Sequence, residues 1–584
     1  MSMSSSVAYR LRRVAWSGFL VWVVLLLLIV LPVMFFVVTA VSPRLMNSGP
    51  QWFTLSNISA AFQGYTGQGI LDSLWVSFLV GLFATSAATT MAWLVQRTNV
   101  WGRRLFSGAM WLLILLPTWM TTLGWIDVVS PGELLSAVGV HSLWVYHMFF
   151  GASGIVFVLT TASLPFSYIV VSAGLRGLGS EFEDAARVHG ASRFRVMRTV
   201  LPIIAPALLS AFVIAFAEAM SDFGTAYTLG SASHFPIATL TLFNAISNFP
   251  ANFPVAAVIA GVLILSTVPP VFLQARMMRG RSYAVLSGRT RAVRRYQFTT
   301  PVRIAVTAAL ALFVLIVVGM PVLGALSSSF TNTASFVTPT GIHWTLQSYK
   351  DVFSSLPSYT SLGAPLVTSN RLGFWVATLT VVVGLILARR IAKSSGSWSQ
   401  RITDVFLMGS VAIPGIVLGI GYIFFYDQRF ITHHIVDLYE TTPLIVLGLS
   451  ASALPGQSRL LLGPVSQIQS SLNDAARVHG AGKIRAWRTT TMPLLSRAIV
   501  WAWVLTFTKT ISELAVAQIL FVPGQQPASV TIEQYLGTVF ASVGSAATVI
   551  TLAEMLGVIG VVLLVYRLVT PRGWRRIGEA GANS

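Results

Sequence analysis

The sequence contains no cysteine and only four lysines, which are Lys350, Lys393, Lys483 and Lys509. The lack of cysteine excludes disulfides and thiolate metal sites. None of the lysines lies in the Gly-x4-Gly-Lys-Ser/Thr pattern that binds nucleotide phosphates, so the chain is not predicted to hydrolyse ATP itself. A nucleophile–base pair and a metal-ligand motif are also missing, which disfavours a membrane-embedded enzyme.

Charge is scarce as well: charged residues make up 10% of the 584 residues and hydrophobic residues 55%. Soluble domains carry about 25% charged residues, so this composition predicts an integral membrane protein. A helix needs about 20 apolar residues to cross a bilayer, and lipid requires each backbone amide to bond within its own segment. Twelve candidate spans, six in each half, lie near 14–41, 71–95, 105–128, 152–175, 201–220, 254–275, 304–326, 374–388, 405–425, 443–462, 498–511 and 548–566. The first span is too long for a signal-peptide core, and we interpret it as a retained helix.

The formal net charge of +20 comes from arginines that lie in alternate loops between the predicted helices. Positively charged loops stay on the cytoplasmic side. This alternation predicts that both termini and the loops at about 180–202 and 470–493 are cytoplasmic. The basic linker at 276–303 is interpreted as a topology signal with contacts to lipid phosphates, and no nucleic-acid partner is predicted.

An internal repeat organises the chain. The segment 184–191 recurs without change as 474–481, and Ser221-Asp222 is answered by Ser512-Glu513. Upstream, Trp52 is answered by Trp344. Repeats of this kind decide the architecture. The predicted fold is therefore all-α, with two parallel six-helix repeats at 1–290 and 296–584 related by a pseudo-two-fold axis.

The repeated segment itself has the features of a helical elbow. Ser180 with Glu183, and Ser471 with Asp474, match the capping pattern that begins a helix. The paired alanines that follow leave a low surface on which another protein can pack, and a glycine then permits a turn. The surrounding helices have diverged while this segment has not, which favours a docking role over an ordinary basic loop.

The repeated segment resembles the coupling loop of permease subunits of binding-protein-dependent ABC importers of type I. The shared pattern is an acidic residue followed by Ala-Ala, then three residues, a glycine, and a Leu-Pro about a dozen residues later. The sequence departs from the commoner pattern in having aspartate at the first position and Met492 in place of leucine, and its second loop has one extra residue. The resemblance implies that the elbows seat in an ATPase subunit through Glu183, Asp184, Ala185, Ala186, Gly190, Ala191, Pro202, Asp474, Ala475, Ala476, Gly480, Ala481 and Pro493.

The resemblance also implies the partners and the location. Two elbows in one chain fit two copies of an ABC ATPase, which would carry the ATP and Mg, while this chain binds no cofactor and acts as a transport subunit. A periplasmic or other extracytoplasmic solute-binding protein would deliver the solute at the bacterial inner membrane. A secondary transporter is the main alternative, because internal repeats are typical of that class too.

The solute is predicted from two stretches. Residues 218–225 and 509–514 are similar to the ferric-iron class of these permeases, and Asp222 and Glu513 are hard oxygen donors that suit a hard cation. Carboxylates near helix ends also act as caps, and permeases for thiamine, phosphonate or polyamine remain alternatives. His433 and His434 are interpreted as residues of an exposed outer loop, and no metal site is predicted.

Two intramembrane charges complete the predicted translocation pathway of Glu218, Asp222, Lys509 and Glu513. Equivalent residues of the two halves are 291 positions apart in this region, which makes Lys509 the equivalent of Glu218. The equivalent helices therefore carry opposite charges at the same depth. Charges inside a membrane protein usually face the bundle interior and find partners. We expect the two side chains to approach each other across the axis; the alternative is that each faces water in a cavity and meets a different partner.

Overall fold

The computed structural model describes residues 22–46, 49–141, 143–176, 188, 190, 198, 200–279, 295–331, 335–338, 341–354, 361–393, 403, 406–407, 409–468, 470–535, 538 and 540–569. Within these residues the secondary structure is helical, and β-type pairing is limited to isolated bridges such as that between Thr98 and Tyr296. Most of the first elbow and residues 280–294 of the linker lie outside the described residues.

Eight longer helices lie among the described residues of the first half. They are α1 Trp22–Val38, α2 Gly64–Arg97, α3 Arg103–Leu115, α4 Thr118–Val129, α5 Ala152–Arg176, α6 Ala205–Ser221, α7 Ala238–Ser247 and α8 Phe253–Arg279. Shorter helical segments are Ser56–Ala61, Leu134–Ala137, Leu143–Phe149 and the π-helical turn Ala226–Gly230.

The second half repeats this order. Its helices are α9 Thr300–Ser329, α10 Gly363–Lys393, α11 Gly415–Tyr426, α12 Thr442–Ser466, α13 Ser470–Val478, α14 Lys483–Ala486, α15 Met492–Ile511, α16 Ala528–Tyr535 and α17 Ala541–Val569. Shorter segments are Gln347–Asp351, Arg429–His434, the π-helical turn Trp487–Thr491 and Ala515–Leu520.

Each of the twelve predicted spans overlaps a helix of the structure, and one of them overlaps a bent pair of helices. Among the described residues, eight helices are long and apolar enough to cross a membrane, and α3 with the segment Thr118–Ala137 forms a bent pair. The remaining spans correspond to the shorter apolar helices α1, α6 and α11. The all-α fold with two repeats is therefore confirmed.

Two spans that the sequence predicts as continuous are broken at a proline. The axis bends by 105° between α3 and the segment that begins at Thr118, and Pro117 has an extended backbone with ψ 154°. Pro414, directly before α11, is extended as well, with ψ 138°. Proline lacks an N–H and disfavours helical geometry in the residue before it. Such a break is tolerated at membrane depth only where protein or a cavity surrounds it.

The halves interlock because each sends its first helix against the other half. α1 packs on α11, and α9 packs on α4. At the two crossings a glycine faces the backbone of a proline: a Cβ on Gly421 would lie 2.6 Å from the carbonyl oxygen of Pro32, and a Cβ on Gly124 would overlap the carbonyl oxygen of Pro321. The hydroxyl of Tyr422 donates a hydrogen bond to Leu28 O across the first crossing (2.9 Å).

These crossings predict a specific loss of stability. Gly124→Ala and Gly421→Ala each place a methyl group against backbone that has no free volume, and overpacking costs about 1–3 kcal/mol. Gly108→Ala in α3 and Gly456→Ala in α12 are matched controls, because nothing lies within 4 Å of a Cβ at either position. Thermal unfolding of the detergent-purified protein should show lower midpoints for the first pair only. Equal midpoints in all four variants would contradict the close crossings.

Candidate functional site: coupling elbow and translocation cleft

The second elbow is a helix–turn–helix, as predicted. α13 covers the first part of the repeated segment and begins one residue before Ser471, which lies in its first turn. Gly480 has φ +83°, a backbone conformation that favours glycine. The N–H of Gly480 donates to Arg477 O (3.0 Å), and the N–H of Ala481 donates to Ala476 O (3.1 Å). These bonds close the C-terminus of α13 and turn the chain toward α14.

Large apolar side chains project from this elbow without cover. Val478 is 85% exposed and Ile484 is 82% exposed, and in the first elbow Val188, the equivalent of Val478, is also 85% exposed. Asp474 and Ala475 are exposed too, and Arg477 lies 3.8 Å from Asp474 in a surface ion pair. Sequence reasoning missed these apolar residues, although the valine is part of the repeated segment and could have signalled them.

The second loop, which has the extra residue, contains a π-helical turn. The π-helical turn Trp487–Thr491 lies between Gly480 and Pro493, and π turns accommodate one residue more per turn than an α-helix. Pro493 itself is in the first turn of α15. The guanidinium of Arg389, at the end of α10, lies 5.3 Å from the ring centroid of Trp487. This contact connects the elbow to a membrane helix other than its own.

The first elbow is described only in part. Glu183, Asp184, Ala185, Ala186 and Ala191 lie outside the described residues, whereas Gly190 has φ +73° and so shares the conformation of Gly480. Pro202 is described and exposed.

The helix leading into this elbow is fixed at its end. Arg97 donates a hydrogen bond to Leu175 O (2.6 Å), and the N–H of Tyr296 donates to Arg97 O (2.8 Å). The C-terminal end of the basic linker is thereby connected, through Arg97 at the end of α2, to α5, the helix that enters the first elbow.

Between the halves, Asp222 and Glu513 occupy equivalent turns after α6 and α15. Asp222 Oδ1 accepts a hydrogen bond from the N–H of Thr225 (2.7 Å). Glu513 accepts from the N–H of Val516 (3.0 Å) and the N–H of Ala517 (3.0 Å). Both carboxylates therefore satisfy the free N–H groups at the start of a short helical segment, as capping residues do. Their contact with a passing solute stays a prediction.

The same turns are fixed by a second set of equivalent hydrogen bonds. Thr239 donates to Asp222 O and Ser529 donates to Glu513 O, each at 2.7 Å. Ser73 accepts from the N–H of Ala238 (2.7 Å), and Ser369 accepts from the N–H of Ala528 (2.8 Å). Each half thus joins its turn, its short helix and its longest helix into one hydrogen-bonded unit.

The carboxylate of each turn faces the first residue of a helix, and the sizes of these two residues differ in opposite directions in the two halves. Thr118 at the start of α4 hydrogen-bonds to the shorter carboxylate of Asp222. At the start of α11 the equivalent residue is Gly415, whose Cβ would lie 3.5 Å from Oε1 of the longer Glu513. The extra methylene of glutamate occupies the space that threonine fills in the other half.

The two halves meet at these turns. The indole N–H of the buried Trp119 donates to Ser512 O in the other half (2.8 Å). Lys509, one turn earlier, lies with its Nζ 5.7 Å from the ring centroid of Phe166 in α5. Its charge acts on Glu218, which accepts a hydrogen bond from Ser163. Among the described residues no direct ion pair joins Glu218 and Lys509, so their pairing stays a prediction.

His433 and His434 lie on the short helix Arg429–His434, and both are exposed. The ring of His434 stacks on Phe430 at 5.6 Å. Within the described residues no group of three His, Cys, Asp or Glu side chains is arranged to hold a metal ion.

Comparison with known proteins assigns both halves of the chain to one family. The family model of the binding-protein-dependent transport system inner membrane component matches residues 78–277 and 380–574, one segment in each half. The chain belongs to this family. It is a fused two-domain permease of a binding-protein-dependent ABC importer, and it is a transport component.

Two relatives that align over most of the chain are permeases of ferric systems. A permease protein assigned to a ferric transport system of Haemophilus influenzae is 23% identical over 516 residues, 85% of this chain and 77% of the relative. The ferric transport system permease protein of Actinobacillus pleuropneumoniae is 22% identical over 499 residues, 83% of this chain and 70% of the relative. A molybdenum transport system permease protein of Escherichia coli is 31% identical over 181 residues, 30% of this chain and 76% of the relative.

If the carboxylates act as caps, their removal should lower stability by amounts typical of capping residues. Asp222→Ala and Glu513→Ala should each cost about 1 kcal/mol. Asp222→Asn and Glu513→Gln keep an acceptor oxygen and should lose less. Thermal unfolding in detergent would measure this series. If the amide variants are as unstable as the alanine variants, the capping role of these two side chains is contradicted.

Proposed function

We propose that the chain imports ferric iron, delivered by an extracytoplasmic binding protein, along a pathway between α6 and α15. In this proposal the pathway passes the capped turns at Asp222 and Glu513 and the charged residues Glu218 and Lys509. The long alignments with ferric transport permeases support iron. Fused permeases for thiamine, phosphonate or polyamine remain alternatives, as does molybdenum, which the partial relative is named for. The elbows favour an ATP-driven importer over a secondary transporter.

The observation that carries the ATP-driven importer role is the uncovered apolar surface of the second elbow. Val478 and Ile484 project from a turn whose backbone is fixed by Gly480, and exposed apolar side chains grouped beside charged ones are typical of a protein interface. Two such elbows on one chain fit the two subunits of an ABC ATPase dimer, because a pseudo-two-fold permease matches a two-fold partner. ATP and Mg would be bound by that partner.

The orientation follows from the elbows. They lie on the cytoplasmic side of the inner membrane, where ATP is available, so both termini are cytoplasmic as well and the loops after α7 and α16 face the binding protein. The linker end at Tyr296 then lies on the cytoplasmic side beside Arg97, in keeping with its positive charge.

Replacement of Gly480 tests this function. Gly480→Val forces a branched residue into the left-handed region at a cost of about 1–2 kcal/mol, which corresponds to about a tenfold loss in docking equilibrium. Gly482→Val is the matched control, because Gly482 lies in the same turn, has no positive φ, and has nothing within 4 Å of its Cβ. Uptake of ⁵⁵Fe by cells, with the amount of permease in the membrane measured in parallel, should fall only in Gly480→Val.

Gly190→Val should also lower ⁵⁵Fe uptake, because Gly190 has a positive φ like Gly480. Normal uptake with both glycines replaced would contradict the coupling role. Import of another solute, lost in the same variants, would keep the coupling role and reject iron.

A further inference from the structure

The charged groups between the halves differ in how much of their hydrogen-bonding capacity is left for a solute. Asp222 is bonded by the N–H of Thr225 and by Thr118. Glu513 is bonded by the N–H of Val516 and Ala517. Carboxylate oxygens engaged in capping cannot also serve as the main ligands of a bare cation without releasing those N–H groups.

Glu218 is also engaged. It lies half-buried in α6, it accepts a hydrogen bond from Ser163, and it is subject to the charge of Lys509. Glu218 is therefore held by its own half of the protein, and its negative charge is partly offset.

Lys509 is in the opposite situation. Its neighbours in sequence, Thr508 and Thr510, are buried, whereas Lys509 is exposed. Its ammonium lies near Phe166 of α5, and its charge acts on Glu218 of α6 in the other half and on Glu513 of its own half. Lys509 is therefore an exposed side chain at the interface between the halves. Three N–H donors on a flexible stem suit the binding of an anionic oxygen.

We propose that Lys509 binds the solute between the halves, and that the transported species is therefore an anion or a metal ion held in an anionic complex with oxygen ligands. This inference rests on the proposed importer function and narrows its solute class. For iron it means transport of a complex, such as one with a carboxylate chelator, in place of the bare ferric ion. A bare trivalent cation would be repelled by the ammonium and would find the nearby carboxylates already bonded.

The test uses the full chain reconstituted in proteoliposomes with its ATPase and binding protein. Import of ⁵⁵Fe supplied as the citrate complex is measured for wild type, Lys509→Met, Lys509→Arg and the double variant Glu218→Gln/Lys509→Met. Lys350→Met is the matched control, because Lys350 is an exposed lysine on the short helix Gln347–Asp351. ATP hydrolysis stimulated by the binding protein is recorded in parallel.

Loss of one charge-assisted hydrogen bond should lower import about tenfold or more in Lys509→Met, while Lys509→Arg retains most of it and Lys350→Met all of it. ATP hydrolysis should persist in every variant. The double variant should stay defective, because the solute has lost its contact. Recovery of import in the double variant would overturn the inference, since it would show that Lys509 serves only to neutralise Glu218.

The sign of the transported charge gives an independent readout. A potential-sensitive dye should report an interior that becomes negative during import, whereas import of a cation would make it positive and overturn the inference. If the proteoliposomes import molybdate but no iron, the iron assignment fails and the anion inference stands. If iron enters as a cation at the same rate in wild type and Lys509→Met, the importer function stands and the inference fails.

Discussion

The need to satisfy every backbone polar group inside the bilayer governs this structure. Two membrane spans are broken at Pro117 and Pro414, and a break at that depth has to be enclosed by protein. The helices that follow the breaks, α4 and α11, are each covered by the first helix of the opposite half. Gly124 and Gly421 permit backbone-to-backbone approach at those crossings. The halves therefore cannot separate without exposing the broken spans.

Because the helix crossings are closely packed, a movement has to involve the elbows and turns outside them. Each capped turn is bonded to its short helix, and that short helix is bonded to the longest helix of the same half, in the same way in both halves. The second elbow continues through α14 and the π-helical turn Trp487–Thr491 into α15, which ends at the turn of Glu513. Arg389 over Trp487, and Arg97 on Leu175 O, connect the elbows to neighbouring helices. Under the proposed function, a displacement at an elbow would be transmitted along α6 or α15 to the turns of Asp222 and Glu513.

Much of this could be predicted from the sequence. Apolar runs placed all twelve spans, and the repeated segment placed the second elbow, because both signals are local. The breaks could not be predicted from proline alone, since Pro165, Pro269 and Pro455 lie inside continuous helices. What differs is the tertiary surroundings of each proline. Asp222 and Glu513 were predicted in the pathway from residue type, whereas their capping bonds depend on turns whose geometry no spacing rule supplies.

The central claim is that one chain presents two elbows to two ATPase subunits. The stoichiometry of the purified complex tests it most directly, by native mass spectrometry of the chain released from detergent with its bound ATPase. We expect one copy of this chain with two copies of the ATPase. A complex that contains a single ATPase, or two copies of this chain, would contradict the account.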